Sequence, residues 1–163
     1  MLADRVRMGS GAEKIEIFGQ PFLYKKGEFT EQWSDRTSAI AGMHTFSVGY
    51  LEDRINLDWV STMAPMASSG SIYTIEPIDL TNVDSITADI DIISVNYGRF
   101  TLSATSYISS ISTSGTYNRE LRDLGRQYVT LDVSGLSGMY YINCFTDGMS
   151  TSITVDIFNI WLE

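Results

Sequence analysis

Apolar residues recur at every second position through most of the chain. In MHTFSVGY, Phe46, Val48 and Tyr50 alternate with Thr45, Ser47 and Gly49, and in INLDWV, Ile55, Leu57 and Trp59 alternate with Asn56 and Asp58. A period of two puts alternate side chains on opposite sides of an extended backbone, so both segments predict half-buried strands. The same reading predicts a strand from Ile72 to Ile75, a turn over Thr81 to Asp84, and a strand with Ile86, Ala88, Ile90 and Ile92 inward. Thr87, Asp89 and Asp91 are then expected to face water. Further on, Phe100, Leu102 and Ala104 oppose Arg99, Thr101 and Ser103.

Turn residues punctuate these runs. KIEIFGQPFLYKKGEFTEQW places Ile15 and Ile17 on one face, breaks at Gly19-Gln20-Pro21 and resumes with Phe22 and Tyr24, which predicts two short strands and a turn. Residues 109–116, rich in Ser, Thr and Gly, read as an exposed loop. YNRELRDLGRQ has the only helix-like local composition and reads as a short helix or an ordered loop. LDVSGLSGMYYINCF, residues 131–145, reads as a hairpin, two alternating runs reversing through Ser-Gly-Leu-Ser-Gly. In the closing SITVDIFNIWLE, Ile153, Val155 and Ile157 define one face and Phe158, Ile160 and Leu162 the other. A strand apolar on both faces is central or covered by a neighbour, which makes Phe158, Ile160 and Leu162 the expected contact between subunits.

About nine or ten short strands with at most one short helix predict an all-β chain, an antiparallel β-sandwich of jelly-roll type. Residues 1–14 stand outside the pattern as an N-terminal arm, and residues 15–163 form the sandwich domain. A chain of 163 residues can take roughly 70% of its unfolded surface out of water, enough for a real core.

Charge narrows the choice of partners. The net charge of -9 and pI near 4.5 repel phosphate backbones and anionic lipid, so nucleic acid is not an expected partner. Arg5, Arg7 and Lys14 form a small basic island in the arm, which reads as a contact to an acidic surface or a solvated tail. No apolar run is long enough to span a bilayer, and the charged start lacks the apolar centre of a signal peptide. The chain is therefore expected to begin at or near Met1 and to be made in a reducing cytoplasm.

Candidate chemistry is sparse. Cys144 is the single cysteine and His44 the single histidine, which excludes an intrachain disulfide and a Cys/His zinc cluster. His44 opens a strand without a nucleophile elbow nearby, and Cys144 shares the parity of Tyr140 and Ile142 as a packed thiol would. The carboxylate pairs Asp89 with Asp91 and Glu52 with Asp53 read as the wet side of strands and turns. No catalytic residue, metal site or cofactor is expected. The remaining chemistry is aromatic: Tyr73, Tyr97, Tyr107, Tyr117 and Tyr128, with Trp33, fall at strand ends or in loops. Such rings stack on sugars or anchor a protein interface, or else pack at the core and edges. Trp59 and Trp161 lie inside strands, as core or interface.

Four stretches together carry a resemblance: FLYKKGEFTEQWSD (22–35), SIYTIEPIDLTNVDSITADIDI (71–92), YVTLDVSGLSGMYYINCF (128–145) and IFNIWLE (157–163). In this order, after the opening MLADRVRMGSG, they resemble small tail-associated structural proteins of phages and prophages of Gram-positive bacteria. Modules of that group are similar to carbohydrate-binding modules and to domains of lactococcal phage receptor-binding proteins. The resemblance implies a non-enzymatic protein of the virion tail tip, contributing to host adsorption, with other tail proteins as partners and a homo-oligomeric state. The alternative it implies is a carbohydrate-binding module for host cell-wall polysaccharide, with Trp33, Tyr73, Tyr97, Tyr107 and Tyr117 as its contacts.

Overall fold

The structure is a computed structural model and describes residues 6–7, 16–17, 20–37, 44–61, 69–107, 117–147 and 152–163. The strands in chain order are β1 (Val6–Arg7), β2 (Glu16–Ile17), β3 (Gln20–Lys25), β4 (Glu28–Phe29), β5 (Trp33–Thr37), β6 (His44–Tyr50), β7 (Ile55–Ser61) and β8 (Ser69–Thr74), then β9 (Ile78–Asp79), β10 (Ser85–Asn96), β11 (Arg99–Thr105), β12 (Tyr117–Leu121), β13 (Gly125–Asp132), β14 (Met139–Asp147) and β15 (Ser152–Leu162). No helix occurs among the described residues.

These strands make two antiparallel sheets. One has seven strands in the order β1-β5-β8-β14-β11-β12, with β9 paired to β14. The other has eight and is built around β15, which pairs along one edge with β10, itself flanked by β13. The other edge of β15 takes β7 through Ser152–Ile157 and β3 through Asn159–Trp161. The remaining strands β6, β2 and β4 extend β7 and β3.

The alternation read from the sequence places the core between the sheets. Ile72, Phe100, Leu102, Ile142 and Cys144 of the seven-stranded sheet, and Ile55, Leu57, Trp59, Ile86, Ile90, Val155 and Ile157 of the other, are all fully buried. Full burial of each large apolar side chain contributes roughly 1.5–3 kcal/mol. The sheets approach closely at Gly70, where an added Cβ would lie 2.0 Å from the Phe46 ring. The β3–β4 turn uses left-handed Lys26 (φ 42) and Gly27 (φ 88), the twist that a two-residue hairpin needs.

Several expectations change. LDVSGLSGMYYINCF is not a hairpin: β13 pairs with β10 in one sheet and β14 with β11 and β8 in the other. The connection instead closes the end of the sandwich with buried Val133 and Leu136, while the Asp132 carboxylate accepts hydrogen bonds from Ser134 N (3.0 Å) and Oγ (2.7 Å). Those bonds hold the Asp132 pKa below the usual carboxylate value.

The last strand is not apolar on both faces. Asn159 pairs with Asp89 and Ile157 with Ile90, so Phe158 is the extra residue of a β-bulge. That one residue resets the parity, and Ile160 (0% exposed) and Leu162 (6%) return to the core with Ile153, Val155 and Ile157. Ile160 and Leu162 are thus packing residues rather than a subunit contact, and Phe158 is half-buried beneath Arg126.

Trp33 is likewise core, fully buried opposite Thr74, because β5 is drawn into the seven-stranded sheet. YNRELRDLGRQ forms β12, a turn and the start of β13. Its first five residues find a partner strand in β11, which outweighs a helix too short to stand alone. Thr87 and Asp89 are buried, not wet. Val6 and Arg7 of the arm form the edge strand β1 on β5, Arg7 opposite Trp33, whereas Arg5, Lys14 and the 109–116 loop lie outside the described residues.

Candidate functional site

The outer face of the seven-stranded sheet follows from strand register, since residues directly opposite across an antiparallel pair share a face. Four rows result. Arg99, Asp147 and Ser69 make the first; Glu120, Thr101, Phe145, Ser71 and Arg36 the second. Asn118, Ser103, Asn143, Tyr73 and Ser34 make the third, and Thr105 and Tyr141 the fourth. The central positions are hydroxyl and amide side chains, and they are buried: Thr101 and Asn143 are each 1% exposed.

Hydrogen bonding on this face is incomplete. Ser103 Oγ donates to Asn143 Oδ1 at 2.9 Å, but Asn143 Nδ2 and Thr101 Oγ1 are buried without a hydrogen-bond partner among the described residues. Phe145 is 2% exposed yet stands apart from the core cluster, on the opposite side of the sheet. Tyr73 and Tyr141 are half-buried rings beside these groups.

One end of the face is closed by a charged clasp. The Arg99 guanidinium donates to both oxygens of Asp147 (Nε 2.5 Å, Nη2 2.8 Å) and to Glu120 Oε1 (2.5 Å). The Asp147 bonds raise the Arg99 pKa above its ordinary value. With its fork engaged, Arg99 is tied to the Asp147 end of the face.

The outer face of the eight-stranded sheet is built differently. Buried Asp89 accepts from Arg126 Nε (3.0 Å) and Nη2 (2.9 Å) and from Asn159 Nδ2 (3.0 Å). Asp156 accepts from Asn56 Nδ2 at 2.7 Å and lies 3.0 Å from Arg54 Nε. The Asp89–Asp91 pair is thus part of a structural ion network, and Asp53 of the other pair meets Arg54 at 2.7 Å. His44 Nδ1 is 2.8 Å from Ser61 Oγ, with its ring stacked on Trp59. Buried Cys144 has its thiol pKa pushed up by desolvation, which suppresses the thiolate.

Of the aromatic candidates, Tyr73 alone takes a central place on the hydroxyl face. Tyr107 is exposed at the end of β11, and Tyr97, also exposed, precedes the other end in a left-handed conformation (φ 58). Tyr117 pairs with Ala104, on the core-facing parity at the sheet edge. Trp33 is in the core. Sequence reasoning passed over Thr101, Ser103, Asn143, Phe145 and the Arg99 clasp. Their signal was faint but present: in SGSIYT, FTLSAT and INCFTD the outward positions carry Ser, Thr and Asn where a solvated strand carries Lys and Glu.

The chain matches no protein-family profile and no curated protein. Solved structures do share its fold. A family 11 carbohydrate-binding module from Clostridium thermocellum, in complex with a β-1,3-1,4-mixed-linked tetrasaccharide, aligns with TM-score 0.59 and 14% identity over 88% of this chain and 94% of its own. The family 11 module of a cellulosomal cellulase of the same organism aligns with TM-score 0.57 and 13% identity over the same shares. The glycoside hydrolase domain structure of Endo-D from Streptococcus pneumoniae R6 aligns with TM-score 0.55 and 8% identity, over 80% of this chain and 21% of its own. The expected antiparallel sandwich is the fold of this chain and of these carbohydrate-binding modules, while nothing in these likenesses points to a phage tail.

Proposed function

We propose that this chain is a non-catalytic carbohydrate-binding module whose ligand lies across the outer face of the seven-stranded sheet. The observation that carries this is the half-buried ring pair Tyr73 and Tyr141, set on a face of Ser, Thr and Asn side chains. Sugar hydroxyls donate and accept, and the apolar side of a pyranose ring stacks on tyrosine. The clasp sets Arg99 against two carboxylates, Asp147 and Glu120, so Arg99 is not free to hold an anionic ligand. Fold likeness to modules named for carbohydrate binding supports this reading over a purely structural role.

Affinity electrophoresis through gels containing mixed-linkage β-glucan, galactomannan or Gram-positive cell-wall polysaccharide tests it. Retardation by at least one polysaccharide, lost in Tyr73→Ala, is the expected result. Free migration of the wild-type protein through all of them would overturn the proposal.

Two narrower readings rest on the sequence resemblance: a host cell-wall glycan as ligand, and a place among the tail proteins of a virion. Co-sedimentation with purified cell walls tests the first. Presence or absence of this chain in purified virions tests the second.

A further inference from the structure

The outer face of the eight-stranded sheet carries rings that the hydroxyl face does not use. Phe22 of β3, Trp161 of β15 and Tyr128 of β13 lie in sequence across it, Phe22 and Trp161 with centroids 5.9 Å apart and planes tilted by 39°, Tyr128 and Trp161 6.0 Å apart and edge-to-face at 78°. Register puts Trp161 opposite Phe22 and Thr87, and Tyr128 opposite Asp89, all on the side away from the core. Tyr128 is 71% exposed, while Trp161 and Phe22 are half-buried.

The central indole is fixed before anything binds. Trp161 Nε1 donates to Glu163 Oε1 at 2.9 Å, and Ser85 Oγ donates to Glu163 Oε2 at 2.8 Å. Lys25 Nζ is 5.3 Å from the centre of the Phe22 ring, and the Arg126 guanidinium is 4.1 Å from that of Phe158. The buried carboxylate beneath, Asp89, is already saturated by Arg126 and Asn159. What the surface still offers is ring contact centred on Trp161, whose indole is already fixed and loses little ordering entropy on binding.

Size and charge select the occupant. Aromatic side chains bury about 150–250 Å² each, so these three rings at their exposures offer on the order of 300 Å², well short of the ~800 Å² per partner of a stable protein interface. That area matches one or two sugar rings. Glu163, Asp91 and Asp132 outnumber Lys25 and Arg126 on this face, so a second copy, with its net charge of -9, is repelled. A neutral pyranoside is not.

We propose that Phe22, Trp161 and Tyr128 form a second carbohydrate site, taking the apolar ring faces of neutral pyranosides. The ligand class rests on the proposed function, but the site does not. With one site on each outer face, the module bridges polysaccharide chains and gains avidity.

Tryptophan fluorescence isolates this site. Of the three tryptophans, Trp33 and Trp59 are fully buried, so solvent and ligand reach Trp161 alone. Titration with fragments of mixed-linkage β-glucan, galactomannan and starch, alongside calorimetry, is expected to shift Trp161 emission and shield it from acrylamide with at least one of them. Tyr128→Ala should weaken that response roughly five- to tenfold, with Tyr128→Phe retaining it, whereas Tyr73→Ala leaves it unchanged. Circular dichroism confirms the fold of each variant, which the exposure of Tyr128 favours.

Calorimetric binding with a silent Trp161 and an unaffected Tyr128→Ala overturns the second site and leaves the hydroxyl face standing. A fluorescence response that survives Tyr73→Ala, with no other heat of binding, supports the platform and removes the hydroxyl face. Absence of any binding removes both. Concentration-dependent dimers that Tyr128→Ala abolishes overturn the proposal in favour of an interface between copies.

Discussion

The two outer faces of the sandwich bury polar groups in opposite ways. On the eight-stranded sheet, Asp89 has three hydrogen bonds from Arg126 and Asn159, and Asp156 is met by Asn56 and Arg54. On the seven-stranded sheet, Thr101 Oγ1 and Asn143 Nδ2 are left unmatched beside Phe145, a buried ring outside the core. The first arrangement matches its buried carboxylates, although Arg54 Nε, 3.0 Å from Asp156, makes no aligned hydrogen bond. The second bears an unfavourable term, since a buried polar atom without a partner costs about 1–3 kcal/mol. Buried polarity by itself therefore says little, because matched carboxylates and unmatched hydroxyls occur on the two faces of one sandwich.

Substitution should split the faces. Arg126→Met strips Asp89 of two of its three bonds, and urea unfolding should show a loss of about 2 kcal/mol, tempered because Arg126 is half open to water. An unchanged midpoint would mean that Asn159 and solvent suffice. Tyr73→Ala should lower polysaccharide affinity about tenfold, or ~1.4 kcal/mol, with little change in stability. A stability loss without an affinity loss would recast Tyr73 as packing. Thr101→Val removes an unmatched buried hydroxyl at constant shape, so it should stabilise the free protein by ~1 kcal/mol. Destabilisation there would show that the hydroxyl is matched after all.

The smallest expected effect is one of pH. The Glu163 pKa is held below its ordinary 4.5, first by the Trp161 bond and then by Ser85. Because the folded value is the lower one, the stabilisation is full above about pH 4.5 and fades as pH falls through the folded value. Thermal melts of wild type and Glu163→Gln should therefore differ most above pH 5 and converge on acidification. Divergence toward acid would contradict the assigned bonds.

Local alternation made the sandwich legible. Ile55, Leu57 and Trp59, or Ile86, Ala88, Ile90 and Ile92, are buried as period two requires. Partnership was not legible: nothing local in LDVSGLSGMYYINCF says that its two strands join different sheets. Nor does SITVDIFNIWLE reveal that Phe158 is a bulge, since the extra residue exists only relative to β10. Tyr73 could be picked out as an aromatic among small residues. Thr101 and Asn143 could not, because an outward Thr or Asn looks the same in sequence whether water, a neighbour or nothing satisfies it.

The sequence by itself determined the all-β class, the alternation that builds the core and the acidic surface that disfavours nucleic acid. These depend on side-chain chemistry at fixed spacing along one strand. Tertiary structure alone decided which strands share a sheet, which residues form rows across it and which buried groups remain unmatched. Those properties belong to pairs of segments as far apart as Asn56 and Asp156, brought together only when the sheets close over a common core.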